Sequence, residues 1–209
     1  MQQSRDVAAE MLKNIRRIAI IFNPAAGRGQ AARMRDEMES YMSRAVRNVH
    51  DIVSWQVIET TGQGTATGIA RKVADAGVQV VIAAGGDGTL CEVMNGIIGR
   101  DVKLGVIPLG TGNDFARTIG VGLTIKDAVL SIFYGDPVKI DVGKIGERFF
   151  LNVAGCGFDA VVADRINKGG NSLRGKAAYI SAILQSLKEF EPVEMKLFTH
   201  PAAVQAAPV

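Results

Sequence analysis

The chain has 209 residues, a mass of 22.2 kDa and a net charge of +3. With 47% hydrophobic residues it carries enough apolar material to exclude disorder as the main state, and a charge of +3 is too small to argue for nucleic acid. No apolar run approaches the ~20 residues of a bilayer span, and the start lacks the charged-then-apolar order of a signal peptide. Cys91 and Cys156 make neither a disulfide framework nor a zinc spacing, so a reducing cytoplasm is expected.

Ser4 to Asn14 has weak helical spacing and reads as a lead-in helix. Ile18 to Phe22 is a continuous apolar run, as in a strand buried on both faces. Asn23 to Gly29 breaks it, and Met34, Met38, Tyr41, Met42 and Ala45 recur at helical spacing. Val53, Trp55 and Val57 alternate as a second strand, and Thr60 to Gly64 is a polar turn. Ile69, Ala70, Val73 and Ala74 mark a helix stopped by Gly77, and Val78 to Ala84 is a third strand. Leu90, Val93, Met94, Ile97 and Ile98 form an amphipathic stripe. Leu104 to Ile107 is a fourth strand, and Thr124 to Phe133 is helical.

Strands thus alternate with helices over about the first 133 residues, which implies a parallel sheet with helices on both faces. The pattern then changes, and a domain boundary is expected near Gly135-Asp136-Pro137, dividing the chain into 1–134 and 135–200. Val138 to Lys144 and Phe149 to Val153 read as a hairpin around Gly146. Asp159 to Gly170 reads as a loop, Leu173 to Leu187 as a helix and Val193 to Phe198 as a strand. The second domain is expected to be β-rich and incomplete, followed by a disordered tail over 201–209. No internal repeat is found.

Three glycine-bearing loops fall at strand ends, at 23–29, 85–89 and 110–114, each ahead of a helix. Helix N-termini offer free N–H groups and partial positive charge, and glycine admits close approach to an anion. Ligands of open α/β sheets bind at the carboxyl ends of the strands. Three such loops at equivalent ends therefore point to a phosphate-bearing ligand. Asp87 adds a carboxylate, which suits a metal, a proton to be accepted or a sugar hydroxyl; its other reading is turn formation. Glu92 has two readings. Thr89-Leu90-Cys91-Glu92 fits a capping box with Thr89 as N-cap, and catalysis is the alternative.

Two motifs are decoys. Gly27 to Ala32 matches a Gly-x-Gly-x-x-Ala dinucleotide fingerprint, but Asn-Pro-Ala-Ala intervenes where a tight turn is required. Gly170 to Lys176 matches most of a P-loop, but Ala177 replaces the Ser/Thr hydroxyl and no strand precedes it.

Asn23-Pro-x-x-Gly27, Gly85-Gly-Asp-Gly-Thr89 continuing through Glu92 to Gly96, and Pro108-Leu-Gly-Thr-Gly-Asn-Asp-Phe-Ala-Arg117 resemble the diacylglycerol kinase catalytic domain, which includes bacterial soluble lipid kinases and sphingosine kinases. The central Gly-Gly-Asp-Gly-Thr also occurs in NAD kinases; the longer third run is similar to lipid kinases. The resemblance covers about residues 17 to 190 and implies ATP and Mg²⁺ as cofactors. It places Asn23 and Gly27 at the nucleotide from the first loop, and Thr60 near the end of the second strand. Gly85, Gly86, Asp87, Gly88, Thr89, Leu90 and Cys91 would wrap the phosphates, and Thr111 would approach from the fourth strand. Asp87 would lie near the metal and the transferred phosphoryl group and act catalytically. Asp159 or Asp164 would bind the lipid head group; for Asp159 a turn cap is the alternative.

The family's second domain normally continues further and carries an acidic motif near its C-terminus, so a C-terminally truncated member is expected. The expected activity is ATP-dependent phosphorylation of a diacylglycerol-like or sphingoid lipid, impaired in this chain by the truncation. The alternatives are nucleotide binding without turnover and an NAD kinase. The expected partner is a lipid at a membrane surface, met from the cytoplasm. The open edge of the last strand allows pairing with another chain, including a homodimer.

Overall fold

The computed structural model describes residues 16–48, 54–167, 176–190 and 207–208. The expected lead-in helix, the strand at Val193–Phe198, the P-loop-like run at 170–175 and most of the tail lie outside them.

Four parallel strands form the central sheet: β1 (Arg17–Phe22), β2 (Ser54–Glu59), β3 (Val80–Gly85) and β4 (Lys103–Pro108). Their order is β2-β1-β3-β4. β3 is buried at every position and β1 from Ile18 onward, which is why these strands read as unbroken apolar runs. β2 lies at one edge and alternates exposed and half-buried residues from Ser54 to Val57.

Helices cover both faces. α1 (Arg35–Arg47) follows two short 3-10 turns, Ala26–Gly29 and Ala31–Met34. α2 (Thr65–Asp75), α3 (Asp87–Ile97), the short α4 (Asp114–Thr118) and α5 (Ile125–Tyr134) follow in order. Ile18, Ile20 and Phe22 face Met38 and Met42 of α1 and Ala128, Val129 and Phe133 of α5. Ala19 and Ile21 point the other way, toward Ala66 and Ala70 of α2 and Leu90 and Val93 of α3. Period-two side chains on the strands thus divide one core into two layers. α2 and α3 pack closely because Gly96 has no side chain; a β-carbon there would stand 2.5 Å from Thr67 O.

Beyond α5 come β5 (Lys139–Ile140), then a tight hairpin of β6 (Gly143–Ile145) and β7 (Arg148–Phe150) turning at Gly146, whose φ is +57°. β5 pairs with β8 (Ala207–Pro208). The chain separates into two compact units, Met1–Asn152 with Val204–Val209, and Val153–Ala203. Ile140 and Leu151 pack against the α2–α3 side of the core, so the hairpin segment groups with the first unit.

In the second unit the described residues form two helices and no strand: α6 (Phe158–Asn167) and α7 (Lys176–Glu189). Phe158 meets Phe190 edge to face at 5.3 Å, and Arg165 pairs with Glu189. The expected loop at Asp159–Gly170 is therefore corrected to a helix over its first part. Among the described side chains of α6 only Val162 is buried, so its apolar stripe is too thin to stand out from the charges around it. No helix among the described residues is long and apolar enough to cross a membrane.

Candidate active site at the strand ends

The loop after β1 is fastened through its first residue, Asn23. Asn23 N–H donates to Ala84 O at 2.9 Å, the Asn23 Oδ1 accepts from Ala25 N–H at 3.0 Å, and its Nδ2 donates to Thr89 Oγ1 at 2.8 Å. Gly27, Arg28 and Gly29 are all left-handed, with φ of +58°, +61° and +85°. Gly27 is also required by space, since a β-carbon would lie 2.7 Å from Leu109 O in the loop after β4.

The second loop is shorter than the sequence suggests. β3 runs through Gly85, Gly86 is the N-cap, and α3 already begins at Asp87. The expected capping box is thus corrected: Thr89 sits inside the first turn, only 6% exposed, over Gly85. Glu92 instead caps the neighbouring helix. Its carboxylate accepts from Gly64 N–H at 2.9 Å and Ala66 N–H at 3.2 Å, at the start of α2. The side chain of one helix supplies the acceptors that the N-terminus of the next one lacks.

Helix geometry leaves the N–H groups of Gly86, Asp87, Gly88 and Thr89 without an intrahelical acceptor. Leu90 N–H is the first to be used, bonding Gly86 O at 3.0 Å. Leu90 itself is 3% exposed and belongs to the core. The Cys91 thiol is half-buried and donates to Phe149 O at 3.5 Å, and burial pushes its pKa up. The donors left free at this strand end are therefore main-chain groups of the first turn.

The third loop lies directly on the second. Leu109 N–H donates to Gly85 O at 2.8 Å, and a β-carbon on Gly86 would come within 3.2 Å of Gly110 Cα. Asn113, at φ +54°, holds this turn: Gly110 N–H donates to its Oδ1 at 2.9 Å and its Nδ2 donates to Gly110 O at 2.8 Å. Asp87 Oδ1 accepts from Phe115 N–H at 3.2 Å. A β-carbon on Gly112 would stand 3.1 Å from Asp87 Oδ2 and 3.4 Å from Asp114 Oδ2. Two carboxylates therefore flank one glycine. Asp114 was not singled out from the sequence as a site residue, although it closes the third glycine loop just as Asp87 opens α3.

Thr111 is exposed at the tip of this loop. Thr60 is half-buried at the end of β2, its N–H donating to Phe22 O at 2.9 Å. Of the expected residues, Asn23, Gly27, Gly85, Gly86, Asp87 and Thr89 come together with the loop after β4. Gly88 is exposed on the first turn of α3. Asp159 and Asp164 are exposed on α6 of the second unit. Five residues apart, they stand about 140° from one another around the helix.

The diacylglycerol kinase catalytic domain matches residues 17–145, from β1 through β6. The chain belongs to that family. It is 33% identical over 184 residues to the diacylglycerol kinase of Staphylococcus carnosus (strain TM300), covering 87% of this chain and 58% of that protein. It is 30% identical over 187 residues to the diacylglycerol kinase of Bacillus subtilis (strain 168), covering 88% and 59%. It also superposes on the crystal structure of a diacylglycerol kinase from Bacillus anthracis str. Sterne with a TM-score of 0.56 at 31% identity, covering 66% of this chain and 46% of that one. The sequence thus spans a little over half the length of the curated diacylglycerol kinases it matches. The matched region contains all three glycine loops.

Proposed function

We propose that this chain carries the nucleotide-binding part of an ATP-dependent lipid kinase, which transfers the γ-phosphoryl group to the hydroxyl of a diacylglycerol-like or sphingoid lipid at a membrane surface. The observation that carries this reading is the packing of the three strand-end loops against one another around the first turn of α3. Phosphoryl transfer depends mainly on positioning and on stabilising the charge of the phosphates. The main-chain N–H groups of Gly86 to Thr89 suit that charge, with the dipole of an 11-residue helix behind them.

The donor set fits Mg²⁺. Asp87 and Asp114 offer hard carboxylate oxygens that converge on the space beside Gly112 where a β-carbon would stand. Asp114 is proposed to hold it, with Asp87 beside it. Bound there, the ion would supply positive charge against the phosphate oxygens.

Asp87 keeps Oδ1 engaged with Phe115 N–H, which fixes the carboxylate and leaves Oδ2 as the more available oxygen. In this reading Asp87 Oδ2 is the acceptor for the proton of the lipid hydroxyl. Thr60 and Thr111 supply hydroxyls at the ends of β2 and β4 for the nucleotide. Asn23 and Gly27 shape the loop rather than contribute charge. Asp159 or Asp164 is assigned to the lipid head group, and their separation around α6 favours one of them rather than both.

The test is phosphorylation by radiolabelled ATP and Mg²⁺ of mixed micelles holding diacylglycerol or sphingosine, with NAD as a competing acceptor. Labelled lipid is the expected product. Labelled NAD with no labelled lipid would overturn the acceptor class. MgATP binding without transfer to any acceptor would reduce the assignment to nucleotide binding.

A further inference from the structure

The hairpin that closes the first unit is held by a side chain of the phosphate-facing helix. Asn95 lies on α3, two turns beyond its first residue. Its Oδ1 accepts from Phe149 N–H at 2.9 Å, and its Nδ2 donates to Phe149 O at 2.8 Å. The same Nδ2 donates to Cys91 O at 2.8 Å, one turn back, and Cys91 Sγ donates to Phe149 O at 3.5 Å. Toward Phe149, Asn95 thus behaves as a neighbouring strand would, satisfying both main-chain groups of one residue. β7 is paired along its other edge with β6, so the strand is held from both sides, with Phe149 turned toward Asn95.

This link joins two parts of the molecule with different duties. The first turn of α3 carries the proposed phosphate donors, and the first unit ends at Asn152, just past β7. The strand held by Asn95 is the last one before the chain passes into the second unit. We propose that Asn95 is a positioning residue: it fixes the register of β7 against the phosphate-facing helix, and so sets where the chain starts toward the acceptor-binding residues. It touches neither nucleotide nor lipid and acts through Phe149. The inference rests on the kinase reading above.

Two variants separate positioning from folding. Asn95→Leu removes the acceptor and the donor together. Asn95→Asp keeps the acceptor for Phe149 N–H and sets a carboxylate against the carbonyl oxygens of Phe149 and Cys91. Three quantities are read on the full chain: hydrogen exchange of the Phe149 amide, affinity for MgATP, and the kinetic constants with diacylglycerol in mixed micelles. Loss of a part-buried reciprocal pair is expected to speed Phe149 exchange about tenfold in the Leu variant. MgATP affinity and the KM for ATP should stay within about twofold of wild type, while kcat/KM for lipid falls about tenfold or more. A parallel fall in MgATP affinity and lipid turnover would overturn the proposal, because it would show general loss of structure. Wild-type lipid kinetics with fast Phe149 exchange would overturn it as well. If the wild-type chain phosphorylates no lipid, the kinase reading falls and exchange decides the positioning role. MgATP slowing Phe149 exchange in wild type but not in the Leu variant then supports it, and an equal response in both, or none in either, overturns it.

Discussion

Asn23 reaches across the carboxyl end of the sheet and donates its side-chain amide to the hydroxyl of Thr89 at 2.8 Å. One residue leaves β1 and the other lies in the first turn of α3, so the contact joins adjacent strand ends where the strand order reverses. Asn23→Ala should therefore remove loop order rather than a direct nucleotide contact. Thr89 is 6% exposed, so its hydroxyl would lose its donor away from water. A loss of about 1 kcal/mol in urea unfolding is expected, together with weaker MgATP binding. Full stability with weakened binding would instead place Asn23 at the nucleotide.

Asp87→Asn retains an oxygen for Phe115 N–H, so the fold should survive. Turnover should fall by roughly 10²–10⁴-fold if the carboxylate accepts the hydroxyl proton. Asp114→Asn should weaken magnesium binding and raise the Mg²⁺ concentration needed for half-maximal rate. Wild-type kinetics in both variants would remove the two carboxylates from the proposed site.

Gly86 and Gly110 touch through their main chains, so either is intolerant of a side chain. Gly110→Ala would drive a methyl into Gly86 Cα and should cost about 1–3 kcal/mol. Gly86→Val should damage MgATP binding more than Glu92→Gln, because it both crowds Gly110 and stands at the turn proposed to face the phosphates. Gly88→Ala is the control, with nothing within 4 Å of the added methyl. Titration with a fluorescent ATP analogue, beside thermal melts, ranks the variants. Equal affinity for Gly86→Val and wild type would show that the loop keeps clear of the phosphates.

Glu92 serves α2 rather than its own helix. Glu92→Ala should cost about 1 kcal/mol, as for loss of an N-cap, and fast hydrogen exchange should appear at Gly64 and Ala66. Glu92→Gln keeps one oxygen acceptor and should cost less. A catalytic role would show as lost turnover in Glu92→Gln with stability unchanged.

Burial raises the pKa of the Cys91 thiol, so at pH 8 less of it is thiolate than in a free cysteine. Iodoacetamide should label the exposed Cys156 well before Cys91. The sign for stability follows. The folded chain holds this proton more tightly than the unfolded chain, so the stability it gives is full below the ordinary value of 9.0 and is lost as pH rises through the raised folded value. Cys91→Ser, which titrates far higher, should flatten that alkaline loss. Equal labelling rates at the two cysteines would contradict the burial of Cys91.

The sheet was legible in the sequence because its central strands are buried on both faces and its helices on one. Ile18–Phe22 and the run ending at Ala84 had no polar alternation to hide them, and Leu90, Val93 and Ile97 kept a stripe. The three glycine loops were legible too, since positive φ at Gly27 and close main-chain contact at Gly27, Gly86 and Gly110 admit little else. Three features depended on the tertiary structure. The start of α3 at Asp87 rather than Leu90 depends on Gly86 lying against Gly110, residues that follow different strands. The cap formed by Glu92 depends on a second helix that local spacing does not reveal. The approach of Asp114 to Asp87 likewise comes from β3 and β4 lying side by side, 27 positions apart in the chain. Local pattern records which face of a residue is buried, whereas a partner brought by the sheet's strand order leaves no periodicity to read.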